Sequence, residues 1–388
     1  MRRCALSKNS QRGARSWHSY HQDIPDRYRI MTRYLPHWFT VTPFVALIVL
    51  AFAWGNVLGL LAVAAVAISL IAAVLTAVHH AEVVAHRVGE PFGTLILALA
   101  VTVIEVALVV SMILSGGDGA SAIARDTVYA AIMIVCNGVV GLCLLLGGLR
   151  HHVLEYSVDG TSPALSVLTA MAVLVLVLPS FTTTTPGPTF SASQLALAGV
   201  MSLLLYGAFV FVQTVRHRAY FLPVDTGDTA EHATPPTVRE TWLSLGLLLV
   251  CLVAVVGLAK TMAPLIQLGV QSIGAPAAVV GVAIALLVLL PETVAAARAA
   301  MANRMQTSLN LALGSALATI GLTIPVVAVL SVLMGFPLVL GLPAKDMVLL
   351  ALTLLVSVLT LGSGRATVLQ GTVHLVLFGV FLFLAVVP

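Results

Sequence analysis

The chain has 388 residues, of which 60% are hydrophobic and only 9% charged, against about 25% charged in ordinary soluble domains. That composition excludes a soluble globular fold and reads as an all-α polytopic membrane protein with little mass outside the bilayer. The formal net charge of +4 is not a nucleic-acid signal, because the basic residues flank apolar runs instead of gathering into a patch.

Residues 1–35 form a polar, basic segment with eight Lys and Arg and no apolar stretch. The first apolar run follows within 36–56. It lacks a small-residue cleavage site and is followed at once by a second run, so it reads as a retained signal anchor. Runs of about 17–25 apolar residues are long enough to cross the hydrocarbon core as helices. Eleven are predicted, at 36–54, 57–79, 93–115, 127–149, 162–181, 193–215, 242–262, 277–300, 307–334, 344–362 and 366–387. Breakers such as Gly116-Gly117, Pro186-Gly187-Pro188 and Pro235-Pro236 separate them.

The alternation of charge gives an orientation. One side takes the N-terminal segment, Arg87, Arg150, Arg216, Arg218, Arg239, Arg298, Arg304 and Arg365; the other holds Arg125, Lys260 and Lys345. Sixteen basic residues against three place the N-terminus in the cytoplasm and the C-terminus outside, in the manner of a bacterial inner-membrane protein. The loop 216–241 then divides the chain into an initial helix plus two sets of five, 57–215 and 242–388. Because five is odd, the second set enters from the opposite side, which makes the pair an inverted repeat of the kind that secondary transporters use.

Two acidic residues carry the functional signal. Glu105 and Glu292 lie near the centres of spans, where an acidic side chain costs about 2.5–3.5 kcal/mol. They are echoed by their surroundings: Gly89-x-Pro91 precedes the first by 16 residues and Gly274-x-Pro276 precedes the second by 18. A repeated acid at membrane depth points to a cation or proton pathway. Thr102 shares a helix face with Glu105. Pro291 removes the helical partner of the Leu287 carbonyl, which a cation or water can replace. Asn137 on the next helix of the first half, and Ser315 with Thr319 on that of the second, are further candidate cation and proton ligands. Two glutamates supply up to four of the 6–8 oxygens that Ca²⁺ prefers, and Na⁺ needs fewer. Apolar surroundings favour the protonated form of a carboxylate, so protons compete with the cation.

At the cytoplasmic end of the second span, His79, Glu82 and His86 recur at spacings of three and four, with Glu90 one further turn on. The cluster is compatible with a transition-metal site, with a solvated interface, or with a mouth that attracts cations and senses pH. Cys136, Cys143 and Cys251 lie inside spans and read as small buried hydrophobes. A channel lined by the glutamates and an intramembrane enzyme remain as alternatives. The enzyme lacks an evident nucleophile–base pair at depth, where His374 is the only candidate histidine.

These residues resemble the cation/proton exchangers of the Ca²⁺/cation antiporter superfamily, nearest to the bacterial ChaA type. The resemblance rests on HHAEVVAHRVGEPFGTLILALAVTVIEVALVVSMI from His79 and VVGVAIALLVLLPETVAAARAAMANRMQTSLNLALGSALATIGLTIP from Val279. It implies an antiporter that moves cytoplasmic Ca²⁺, Na⁺ or K⁺ against inward protons, with Glu105 and Glu292 as the repeat glutamates, Gly314-Ser315 as the second repeat's Gly-Ser turn and Asn137 as the first repeat's asparagine. It implies no organic cofactor, no nucleic acid and no enzymatic activity; the partners are the lipid bilayer, inorganic cations and protons. Several positions depart from the family pattern. Val101-Thr102 and Val288-Leu289 stand where many Ca²⁺/H⁺ members carry Gly-Asn, Ala318 where a glutamine is common, and Ile132-Met133 where Gly-Ser is usual. A strictly monovalent Na⁺(K⁺)/H⁺ antiporter therefore stands beside the Ca²⁺ reading.

Overall fold

The structure is a computed structural model that describes residues 36–56, 59–89, 92–116, 120–222, 236–272, 274, 276 and 278–387. The polar segment 1–35 and Glu90 lie outside the described residues. Contacts divide the chain at Val41, and Thr42–Pro388 forms one compact unit; the packing below concerns that unit.

Eleven long helical segments occur among the described residues: α1 Pro36–Ala53, α2 Leu60–Val88, α3 Phe92–Ser115, α4 Ala120–His151, α5 Val158–Phe181, α6 Ala192–Arg216, α7 Val238–Ser272, α8 Ala278–Met301, α9 Met305–Met334, α10 Ala344–Leu361 and α11 Val368–Val386. Eight are long and apolar enough to cross a membrane, and α8 is a ninth if its two bent halves form one span. In α1 and α3 the apolar stretches Trp38–Ala53 and Leu99–Leu114 are shorter. Each of the eleven predicted runs is helical over much of its length, and eight or nine of these helices, among the described residues, are long and apolar enough to span. Two helices run well past their predicted ends: α2 continues through the histidine cluster to Val88 and α7 extends to Ser272.

The sequence dictates several local features. The bend of 51° in α8 separates Ala278–Leu290 from Glu292–Met301, and so falls at Pro291. Proline lacks an N–H and its ring crowds the carbonyl four residues back, here that of Leu287. Of Leu287 itself only the backbone course is described. The last helices of the two halves begin alike. The Ser191 N–H donates to Gln194 Oε1 (3.0 Å) and the Thr367 N–H to Gln370 Oε1 (2.9 Å), satisfying a free donor at each N-terminus.

The packing follows a two-fold pattern when α2–α6 is exchanged with α7–α11. The first helices, α2 and α7, pack on each other. The third helix of each half packs on the last of the other, α4 on α11 and α9 on α6. The second packs on the third of the other half, α3 on α9 and α8 on α4. The loops obey the same exchange. Leu154–Glu155, after α4, pairs antiparallel with Arg365–Ala366, before α11; Thr189, before α6, bridges to Val339, after α9. One departure stands out among the described residues: α2 and α7 both lie along α3, but touch α8 far less.

Candidate cation site

Helices α3 and α8 bring the two glutamates into the interior. Glu105 has a relative exposure of 2% and Glu292 of 4%. The two carboxylates lie within electrostatic reach of each other, and Glu82 of α2 also acts on Glu292. On α9, Thr319 is fully buried, and its hydroxyl donates to Glu105 Oε2 at 2.6 Å. That bond joins residues 214 apart in sequence and links the acid of one half to the third helix of the other.

Three carboxylate oxygens, Glu105 Oε1 and both of Glu292, are buried with no hydrogen-bond partner among the described residues. A buried carboxylate left without donors costs several kcal/mol if it stays charged. Each such oxygen therefore calls for a proton or a cation. Thr102, buried, sits one turn before Glu105 on α3, and Ser315, buried, one turn before Thr319 on α9. Beside Ser315, a methyl group added at Gly314 would meet nothing within 4 Å, so space adjoins this part of α9. The arrangement sets four carboxylate oxygens in the interior, one of them bonded to the Thr319 hydroxyl.

Asn137 takes a different place. It is fully buried in a π-helical turn of α4, Ile134–Val139. Its amide nitrogen donates to Thr353 Oγ1 of α10 (2.8 Å), and its oxygen lies 3.3 Å from His374 Nδ1 of α11. The other ring nitrogen of His374 lies 3.1 Å from Thr360 Oγ1. The structure thus joins Glu105 to Thr319 and sets Glu292 within electrostatic reach of Glu105, with Thr102 and Ser315 buried one turn away on α3 and α9, and it joins Asn137 to a second polar group on α10 and α11. Sequence reasoning passed over Thr353 and Thr360. With Ser357 they recur at spacings of four and three, a polar stripe on one face of an apolar helix that could have marked them.

The histidine cluster lies on α2, as its spacing requires. His79 is half-buried, while Glu82 and His86 are exposed, and the His79 and His80 rings meet edge to face at 5.5 Å. Among the described residues no group of three or more His, Cys, Asp or Glu is placed to hold a metal ion. Arg298 of α8 acts on Glu82, so this surface carries both signs of charge. The three described cysteines, Cys136, Cys143 and Cys251, are buried and free.

Comparison with known proteins gives a consistent result. The sodium/calcium exchanger protein family matches residues 56–215 and 243–387, the two five-helix sets without the loop between them. A Sinorhizobium fredii protein provisionally named the ionic transporter y4hA is 47% identical over 372 residues, 94% of this chain and 100% of that one. The sodium-potassium/proton antiporter ChaA of Escherichia coli is 36% identical over 350 residues, 88% of this chain and 94% of its own. The solved structure of the H⁺/Ca²⁺ exchanger CAX matches with a TM-score of 0.69 at 16% identity, over 92% of this chain and 88% of that one, a likeness of fold. The chain is therefore a multi-pass membrane protein of the sodium/calcium exchanger family, within the Ca²⁺/cation antiporter superfamily.

Proposed function

We propose that this protein exchanges cytoplasmic Na⁺, K⁺ or Ca²⁺ for external protons by alternating access, with Glu105 and Glu292 as the shared cation and proton site. The observation that carries the reading is the pair of buried carboxylates with three oxygens that find no partner among the described residues. Such a pair is stable when protonated and equally when it holds a cation. It is unstable when bare, so the two kinds of ion exchange instead of leaking. Two carboxylates balance one Ca²⁺ or two monovalent charges. Thr102, Ser315 and Thr319 act as supporting ligands, and the Leu287 carbonyl as a further oxygen at the bend.

The two-fold packing and the paired loops support two repeats of five helices, 57–215 and 242–388, after the initial helix. The basic-residue asymmetry supports a cytoplasmic N-terminus and an inner-membrane location. Glu82, with His79 and His86 on the same surface, serves as a cytoplasmic mouth that concentrates cations.

A monovalent preference is favoured by one feature. Asn137, one of the candidate ligands, has its amide committed to Thr353 and His374. Fewer free oxygens suit Na⁺ better than Ca²⁺, which takes 6–8. The relative at 36% identity, named a sodium-potassium/proton antiporter, points the same way. The test is proton flux in everted vesicles energised to acid inside and then given each cation separately. Dissipation by millimolar Na⁺ or K⁺ is expected. A response to micromolar Ca²⁺ alone would reverse the preference, and no response to any cation would remove the antiport reading.

A further inference from the structure

The polar group around Asn137 is as deep as the glutamates, and the exchange cycle above leaves it unused. Asn137 and His374 both have a relative exposure of 0%. A carbonyl oxygen only accepts, so His374 carries its proton on Nδ1 and donates to Asn137 Oδ1. Its Nε2 is then an acceptor, filled by the Thr360 hydroxyl. At the other end Asn137 Nδ2 donates to Thr353 Oγ1, whose hydroxyl proton reaches Met133 Sδ at 3.5 Å. The chain Thr360–His374–Asn137–Thr353–Met133 runs in one direction and leaves no donor facing a donor.

The helices are brought together to make this chain possible. A methyl group at Gly141 would lie 2.9 Å from His374 Cβ, and one at Gly371 would lie 2.6 Å from the Leu145 nitrogen. The α4–α11 contact is thus closed to anything larger than glycine, as small residues allow between membrane helices. His374 has little freedom except to face the π-helical turn. That turn also packs on α8 and α9, which bear Glu292 and Thr319. A π-helical turn widens a helix locally and is common at functional sites. Here it exposes an amide that needs partners on two sides.

We propose that His374 is a positioning residue for the transport reaction. It fixes the Asn137 amide with its oxygen toward α11 and its nitrogen toward α10, and thereby sets the affinity of the glutamate pair for its cation. The inference rests on the antiport reading above. Without His374 the Asn137 oxygen loses its donor, and the π-helical turn that this bond braces is free to shift against α8 and α9, the helices that carry Glu292 and Thr319.

The test uses the full-length protein in proteoliposomes, with Na⁺-driven proton flux measured against cation concentration. His374→Leu removes both ring nitrogens and is expected to raise the cation KM about tenfold while Vmax changes less than about twofold. His374→Gln keeps a side-chain donor and recovers most of the affinity. Thr360→Val, which releases only Nε2, shifts KM in the same direction by less. In an Asn137→Ala background His374→Leu adds nothing, because the group it positions is gone. Unchanged KM in both His374→Leu and Thr360→Val, or the same increment with and without Asn137, overturns the proposal. So does a His374→Gln variant no better than the leucine. Failure of the antiport reading is distinguishable, since it would show as absence of cation-driven proton flux in the unaltered protein.

Discussion

The two halves of the molecule carry the same acid in the same helix, yet treat it differently. Glu105 has a donor, the Thr319 hydroxyl at 2.6 Å, while neither oxygen of Glu292 has a side-chain donor among the described residues. Helix α3, bearing Glu105, is packed along its length by α2 and α7; α8, bearing Glu292, is bent by 51° and touches those helices far less among the described residues. The two-fold packing therefore goes with two copies of a chemical group and not with two copies of an environment. One carboxylate is held by a hydroxyl from the other half, and the other has no such donor among the described residues.

The largest expected effect tests whether both acids are needed despite this difference. Glu292→Gln and Glu105→Gln should each lower cation-driven proton flux more than a hundredfold, with the protein still present in the membrane. Robust flux in either variant would mean that the exchange runs on one carboxylate, and would break the comparison at its root. A smaller effect belongs to the bond that distinguishes the halves. Thr319→Val removes a hydrogen bond to a carboxylate, worth about 1–2 kcal/mol, and should raise the cation KM roughly five- to thirtyfold. In a Glu105→Asp background the same change should cost less, because the shorter acid no longer reaches that hydroxyl; equal costs would separate Thr319 from Glu105. The smallest effect lies at the mouth. Glu82→Gln and His86→Ala should change the initial rate less than about threefold at low salt, and the difference should vanish near 0.5 M salt as exposed charges are screened. A salt-independent loss would place Glu82 in the site itself.

Much of this was legible in the chain because the signals are local. The cost of an acid in an apolar run marked Glu105 and Glu292 without reference to any neighbour. Pro291 marked the bend in α8, and spacing alone placed His79, Glu82 and His86 on one helix. Other features depend on residues far apart in sequence. Asn137 was expected beside the glutamates, and the structure joins its amide to Thr353 and His374, 216 and 237 residues away. No periodicity within α4 encodes that choice, since it is made by two glycines, Gly141 and Gly371, that let α11 approach. Thr319 is similar: its face was readable, its partner was not.

The sequence by itself determined that this is a helical membrane protein with two halves and a buried acid in each, because hydropathy and the expense of burying charge act residue by residue. Only the tertiary structure decided which oxygen of those acids is satisfied, which half the pair α2 and α7 leans on, and which helices share the polar chain at Asn137. Those outcomes depend on which helices come close enough for side chains to meet. Inside a bilayer that closeness is set by the fit of small residues between helices, a property of pairs of surfaces and not of any single stretch of chain.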